Sequence, residues 1–132
     1  MTIIESNAEI NLPVAQVYQF LADLNNHQQL MPENIYNWSS TADTASFTIQ
    51  NMAKLAIHIS ERVENQKLVA IPTEKPPFDL SLEWNLIENG DGTTTAKHII
   101  SADLNMMMKM LAAGPLQKLA DYQTKRVKEI LG

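Results

Sequence analysis

LNMMMKMLAAGPLQKLADYQTKRVKEIL, Leu104 to Leu131, carries apolar residues at helical spacing and reads as one long amphipathic helix. Its first half is loaded with methionine (Met106, Met107, Met108, Met110), and Gly114-Pro115 interrupts it. Glu33 to Asp103 reads as short strands and turns, so this helix is what the sheet must pack against. A sheet wrapped on one helix is a container. Methionine is unbranched and polarizable and suits a surface that adapts to varied apolar partners, although helical periodicity explains the same stripe as ordinary core. Pro115 cannot donate to the carbonyl of Leu111. Two outcomes fit that loss: a kink that widens the space under the Met-rich half, or a gentle curve that follows a twisted sheet.

Working back from the helix, Phe78, Leu80, Leu82, Trp84 and Leu86 alternate with Asp79, Ser81, Glu83 and Asn85, the cleanest period-two run in the chain. One face is buried and the other wet. Asn89-Gly90-Asp91-Gly92 supplies the positive backbone angles of a tight hairpin and joins this strand to Thr93–Leu104. Lys67 to Ile71 is another strand, ended by Pro72, and the Pro76-Pro77 pair fits only a turn or a sheet edge. Tyr36 with Trp38, Phe47 with Ile49, and Leu55 with Ile57 and Ile59 mark further strands.

Thr2 to Leu12 also alternates, with Ile4, Ala8, Ile10 and Leu12 on one face. Pro13 then opens a helix of about three turns through Val14, Val17, Tyr18, Leu21 and Leu24. Asn25 and Asn26 close it, and Gln28 to Met31 forms a short second helix before Pro32. Short connections imply an antiparallel meander. The expected class is α+β, a curved antiparallel sheet of about seven strands around a long C-terminal helix, with two short helices after the first strand.

The 132 residues suit one domain, 1–132, with a single core and a modest void. A formal charge of −5 with no Lys/Arg cluster argues against nucleic acid. Lys125, Arg126 and Lys128 are the densest basic group, and they complement the dipole at the end of the last helix. Cysteine is absent, which excludes disulfides, thiolate nucleophiles and Cys-based metal sites. Met1 to Glu9 lacks the pattern of a secretory leader, and no apolar run is long enough to span a bilayer. A cytoplasmic protein without stable membrane insertion is expected; its oligomeric state is left open.

The entry Leu12-Pro13-Val14-Ala15-Gln16-Val17-Tyr18-Gln19-Phe20-Leu21-Ala22-Asp23, followed by Leu30-Met31-Pro32 and the closing helix from Asn105-Met106-Met107-Met108-Lys109-Met110-Leu111, resembles the START-related superfamily. That superfamily comprises polyketide cyclases, dehydrases and lipid-transfer proteins with the helix-grip fold, and includes the birch pollen allergen. The likeness spans nearly the whole chain in the order of its elements. It implies a sheet gripping the terminal helix, with a pocket for an apolar small molecule between them. The chain is shorter than the plant members and lacks their glycine-rich loop around Ser39 to Asp43, departures that imply a small pocket. It shows no pattern of the Trp-rich chaperone-activator relatives.

Alternation places His98 on one face with Ala96, Ile100, Ala102 and Leu104, so it points inward if that set faces the core. A buried imidazole titrating near neutrality serves as acid or base; a core histidine with one satisfied hydrogen bond is the ordinary alternative. His58 is expected at solvent and His27 in a polar loop, and the three histidines lack metal-ligand spacing. No metal or cofactor is expected. Glu61 follows Ile57 and Ile59 by strict alternation and would be a general acid if buried, whereas a bulge there would carry it to water. Trp38, Phe47, Phe78 and Trp84 are expected inside, with Tyr18 and Tyr122 on the covering helices. These rings fill core volume or line a pocket with indole nitrogens and phenol hydroxyls as polar handles.

Three functions follow. The first is a carrier or sensor that binds an apolar small molecule, lipid or polyketide-like, between Met107, Met108, Leu111, Leu116 and Leu119 on the helix and Trp38, Phe47, Trp84 and His98 opposite. The second is a cyclase or dehydratase in which His98 or Glu61 moves a proton and Tyr18 or Tyr122 polarises an oxygen. The third is a protein-interaction module with a filled core.

Overall fold

The N-terminal alternation forms β1 (Thr2–Ile10), which buries Ile4 and Ile10 and leaves Glu5, Asn7 and Glu9 outside. The computed structural model describes residues 1–51, 53–74 and 78–132, and of Ala53 the backbone alone. The expected Pro76-Pro77 turn lies outside the described residues. After β1 come α1 (Val14–Leu21), a 3₁₀ helix (Leu24–Leu30), β2 (Ile35–Ser40), β3 (Thr44–Ile49), β4 (Ala53–Val63), β5 (Lys67–Pro72), β6 (Leu80–Glu88), β7 (Thr94–Ala102) and α2 (Met106–Leu131). Among the described residues the strands form one antiparallel seven-stranded sheet in the order β1-β7-β6-β5-β4-β3-β2. The meander is therefore unbroken from β2 to β7, and α1 with the 3₁₀ helix carries the chain from one sheet edge to the other.

Several boundaries differ from the sequence expectation, each for a local reason. Pro13 is the N-cap of α1, but the helix ends at Leu21, about one turn early. Asp23 leaves helical geometry, and its carboxylate accepts from Asn25 N at 2.9 Å, which starts the 3₁₀ helix before Asn25 and Asn26 can end α1. In a 3₁₀ helix residues three apart share a face, and Leu24, His27 and Leu30 are its buried residues. His27 is consequently inside, not in a polar loop. In β2, Asn37 has φ 56 and the pairing register with β3 shifts between Tyr36 and Ser39. That irregularity turns Tyr36 outward while Ile35 and Trp38 face in, so Tyr36 and Trp38 do not share a face as simple alternation requires.

The β6–β7 hairpin closes at Asn89–Gly92 as its residues dictate. Gly90 and Gly92 both take φ 83, and Asn89 N donates to Thr93 O at 3.1 Å. α2 begins two residues later than expected, with Asn105 accepting from Met108 N at 2.8 Å, and it continues as one element through Pro115. Its buried stripe is Ala112, Leu116, Ala120, Gln123, Thr124 and Val127. The two alanines let the helix lie close to the sheet, and Thr124 Oγ1 shares a 2.7 Å hydrogen bond with Ser6 Oγ of β1.

The interior divides into two clusters. One gathers Phe47, Ile57, Phe78, Ile100, Ala112 and Leu116. The other gathers Val17, Leu21, Leu68, Trp84 and Val127 under α1. Each large apolar side chain so buried contributes about 1.5–3 kcal/mol.

Candidate functional site

A small cavity lies where the two clusters meet, between the concave face of the sheet and the helices. The 3₁₀ helix and the residue after it bring Leu24, His27 and Met31; β2, β3 and β4 bring Ile35, Trp38, Phe47 and Ile57. Leu68 and Ala70 come from β5, Leu82 and Trp84 from β6, His98 from β7, and Leu119 and Gln123 from α2. The cavity volume is about 30 Å³, room for one or two waters, whereas a dry cavity that holds benzene measures about 150 Å³. Occupation by anything larger than water requires the wall to move. Met31 and Leu119 are half-buried wall residues, and Met31 is held there by a weak contact, Gln123 Nε2 donating to its sulfur at 3.4 Å. Leu119 also lines an outer groove of about 460 Å³ with Pro32, Glu33, Asn34, Pro115, Lys118 and Tyr122. Leu119 is thus common to the walls of groove and cavity.

Two aromatic stacks form part of the wall. Trp38 and Phe47 lie with centroids 5.3 Å apart, and Trp84 and His98 with centroids 4.2 Å apart. The indole N–H of Trp38 donates to Ser40 Oγ at 2.9 Å, and Ser40 in turn donates to Asn25 Oδ1 at 2.8 Å. That nitrogen ties β2 to the 3₁₀ helix and is already engaged.

The polar content of the cavity lies in His27, His98 and Gln123. His27 Nε2–H donates to the carbonyl of Leu21 at 2.7 Å. Burial pushes its pKa down, against the smaller opposing effects of that carbonyl and of Asp23. His98 is 2 % exposed, and its Nδ1 lies 3.0 Å from the carbonyl of Glu83. A carbonyl only accepts, so Nδ1 carries the proton and Nε2 presents a lone pair. That Nε2 is buried with no hydrogen-bond partner among the described residues. Burial lowers the His98 pKa to about 4, outweighing the raising effects of the Glu83 carbonyl and Gln123, with His27 adding a little to the lowering. The imidazole is neutral at physiological pH.

The sequence matches no family model and no curated protein. Solved structures do match. XoxI from Bacillus cereus superposes with a TM-score of 0.79 at 12% identity, covering 99% of this chain and 96% of that one. A START superfamily protein from Mycobacterium smegmatis gives 0.66 at 15% identity, covering 97% and 98%. The di-domain ARO/CYC protein BexL of the BE-7585A biosynthetic pathway gives 0.74 at 11% identity, covering 98% of this chain and 46% of its own. The chain has the START-like helix-grip fold. Identities this low carry the fold and not the activity.

Within the START-like frame, the residues singled out from sequence separate cleanly. Trp38, Phe47, Trp84, His98 and Leu119 meet at the cavity. Met107 and Leu111 do not: they are 73 % and 72 % exposed, because the buried stripe of α2 runs through Ala112 and Leu116 and leaves them on the outer side. Met108 is half-buried against the first cluster, and Leu116 is buried within it; neither lines the cavity. Of the proposed proton-transfer groups, His98 alone is on the wall. The register of β4 slips between Ile59 and Glu61, which turns Glu61 to the surface, where it pairs with Lys67 at 2.7 Å. Tyr18 packs on the second cluster, and Tyr122 lines the outer groove. His58 shares a hydrogen bond with Thr73 at 3.0 Å, remote from the cavity wall.

Gln123 and His27 were missed by sequence reasoning. Their signals were the three-residue spacing Leu24, His27, Leu30 and the helical spacing Leu116, Ala120, Gln123, Val127, in each of which a polar residue occupies an inward position. Among the described residues no group of His, Asp or Glu is arranged to hold a metal ion, and no helix is long and apolar enough to cross a membrane.

Proposed function

We propose that this START-like chain binds a small apolar molecule between the sheet and α2, as a carrier or sensor. The observation that carries this reading is the cavity itself: its wall is made almost wholly of apolar and aromatic side chains, and Leu119 of that wall also lines a surface groove. Binding is coupled to an outward swing of Leu119 and Met31, which enlarges the site and joins it to the groove. Methionine at that position suits such a gate, since its unbranched chain repacks at little cost.

The cyclase or dehydratase reading draws on the likeness to BexL. Against it, the chemistry would rest on His98 alone, and an imidazole titrating at about 4 is a weak proton acceptor for work near neutrality. Glu61 is paired with Lys67 and Tyr122 lines the outer groove, so neither is part of the cavity wall.

Native mass spectrometry of the purified protein, before and after incubation with the neutral fluorophore N-phenyl-1-naphthylamine, tests the binding reading. The expected result is a stoichiometric adduct, either co-purified or formed with the probe and lost in Leu119→Trp, which fills the gate. A chain that carries no adduct and takes up no probe at saturation overturns it in favour of a filled core.

A further inference from the structure

The unsatisfied nitrogen of His98 specifies what kind of molecule the cavity takes. Three facts fix its state. The Nδ1 proton is committed to the Glu83 carbonyl at 3.0 Å, the ring is stacked on Trp84 at 4.2 Å and cannot turn freely, and the ring lines the cavity. Nε2 is therefore a buried acceptor on a ring that lines an apolar cavity, and it has no partner among the described residues. Gln123 stands close enough to act on the ring, and one of its two amide N–H bonds is directed to the Met31 sulfur at 3.4 Å. A buried acceptor left unmet is costly, so a molecule that brings a donor to this point is favoured over one that does not.

The rest of the wall narrows the class. Among the described residues it contains no Lys, Arg, Asp or Glu. A carboxylate, phosphate or ammonium group would enter without a counter-charge and would be strongly disfavoured. The low pKa of His98 works in the same direction, since the imidazole does not acquire a proton with which to hold an anion at neutral pH.

We infer that the cavity selects an uncharged, apolar molecule carrying a single O–H or N–H donor, of the phenol type, and that His98 Nε2 accepts its hydrogen bond. This rests on the binding function proposed above and adds the donor requirement to it.

The discriminating experiment titrates the protein with phenol and with toluene, which share a ring and differ in the donor, and follows both by calorimetry and by the ¹⁵N chemical shift of the His98 imidazole. Phenol is expected to bind at least tenfold more tightly than toluene, and to move the Nε2 resonance away from that of a free lone pair, which toluene leaves in place. His98→Leu should bring the two affinities within about twofold of each other; Gln123→Met should preserve the preference for phenol. Equal affinity of wild-type protein for phenol and toluene overturns the donor requirement and leaves the container intact. So does an Nε2 signal already at a hydrogen-bonded position without either probe, which would assign its partner to the Gln123 amide. Binding of neither probe up to its solubility overturns the container together with the inference. The ¹⁵N measurement uses wild-type protein, so it decides the matter even where His98→Leu fails to fold.

Discussion

The two halves of α2 invert what their composition advertises. Met106, Met107, Met110 and Leu111 make its first turns the more apolar end, yet all four are exposed. The second half is charged and polar in sequence, yet it buries Ala120, Gln123, Thr124 and Val127 and supplies Leu119 and Gln123 to the cavity. Local hydropathy says how much apolar surface an element owns. Which side meets the sheet is decided by fit, and small residues at 112 and 120 fit closer than methionine does.

The comparison is broken most forcefully at Val127, which is fully buried beside Trp84 and Leu86. Val127→Asp places an unpaired carboxylate in that cluster and is expected to cost on the order of 4 kcal/mol or more, visible in urea unfolding as loss of most of the stability. A cost under about 1 kcal/mol would mean that the second half of α2 is not the anchoring half.

The acid response sharpens the same point from the cavity side of that half. Burial holds His27 and His98 neutral in the folded chain, whereas the unfolded chain takes up protons on both below about pH 6.5. The stability is thus fully present above the unfolded value and is lost as the pH falls from there toward 4. For His98, lowered from 6.5 to about 4, the loss is roughly 3 kcal/mol at about 1.4 kcal/mol per unit, and His27 adds to it in the same direction. Unfolding midpoints from pH 7 to pH 4 should fall steeply in wild-type protein and less steeply in His98→Leu. Parallel slopes would show that His98 titrates normally.

Leu116→Ala, at the junction of the halves and buried in the first cluster, should cost about 2–3 kcal/mol. Met107→Ala and Met110→Ala, nine and six residues earlier, should each stay within about 0.5 kcal/mol. If the two methionines cost as much as Leu116 at high protein concentration and nothing at low concentration, that end of the helix is covered by a second copy; chemical denaturation at two concentrations reads this directly.

The sheet was largely legible because alternation and turn chemistry agree along it. Phe78 to Leu86 and the Asn-Gly-Asp-Gly turn fix a hairpin whose register then places His98 inward, opposite Trp84. Legibility failed where the backbone departs from a simple period. The positive φ at Asn37 changes the face of the residues that follow and does not announce itself in hydrophobicity, whereas the slip at Glu61 is the bulge the sequence leaves open, and it carries the carboxylate outward to Lys67. It failed again at His27, since the 3₁₀ helix begins at Leu24 and not at Gln28, and its period of three turns inward a residue expected in a polar loop, and at Met107 and Leu111, since the periodicity of α2 admits two adjacent stripes. Five of the nine expected pocket residues line the cavity; the four that do not are all on the helix.

The irregularity at Asn37 has a consequence for behaviour in a crowded cell. β2 lies at one end of the sheet and so, among the described residues, has one row of backbone groups without a neighbouring strand, the usual template for adding a foreign strand and seeding fibrils. A residue at φ 56 and a shifted register bend that row out of line, so an incoming extended segment cannot pair along its whole length. The same asparagine that spoils a simple reading of the strand also keeps it from recruiting others into an aggregate.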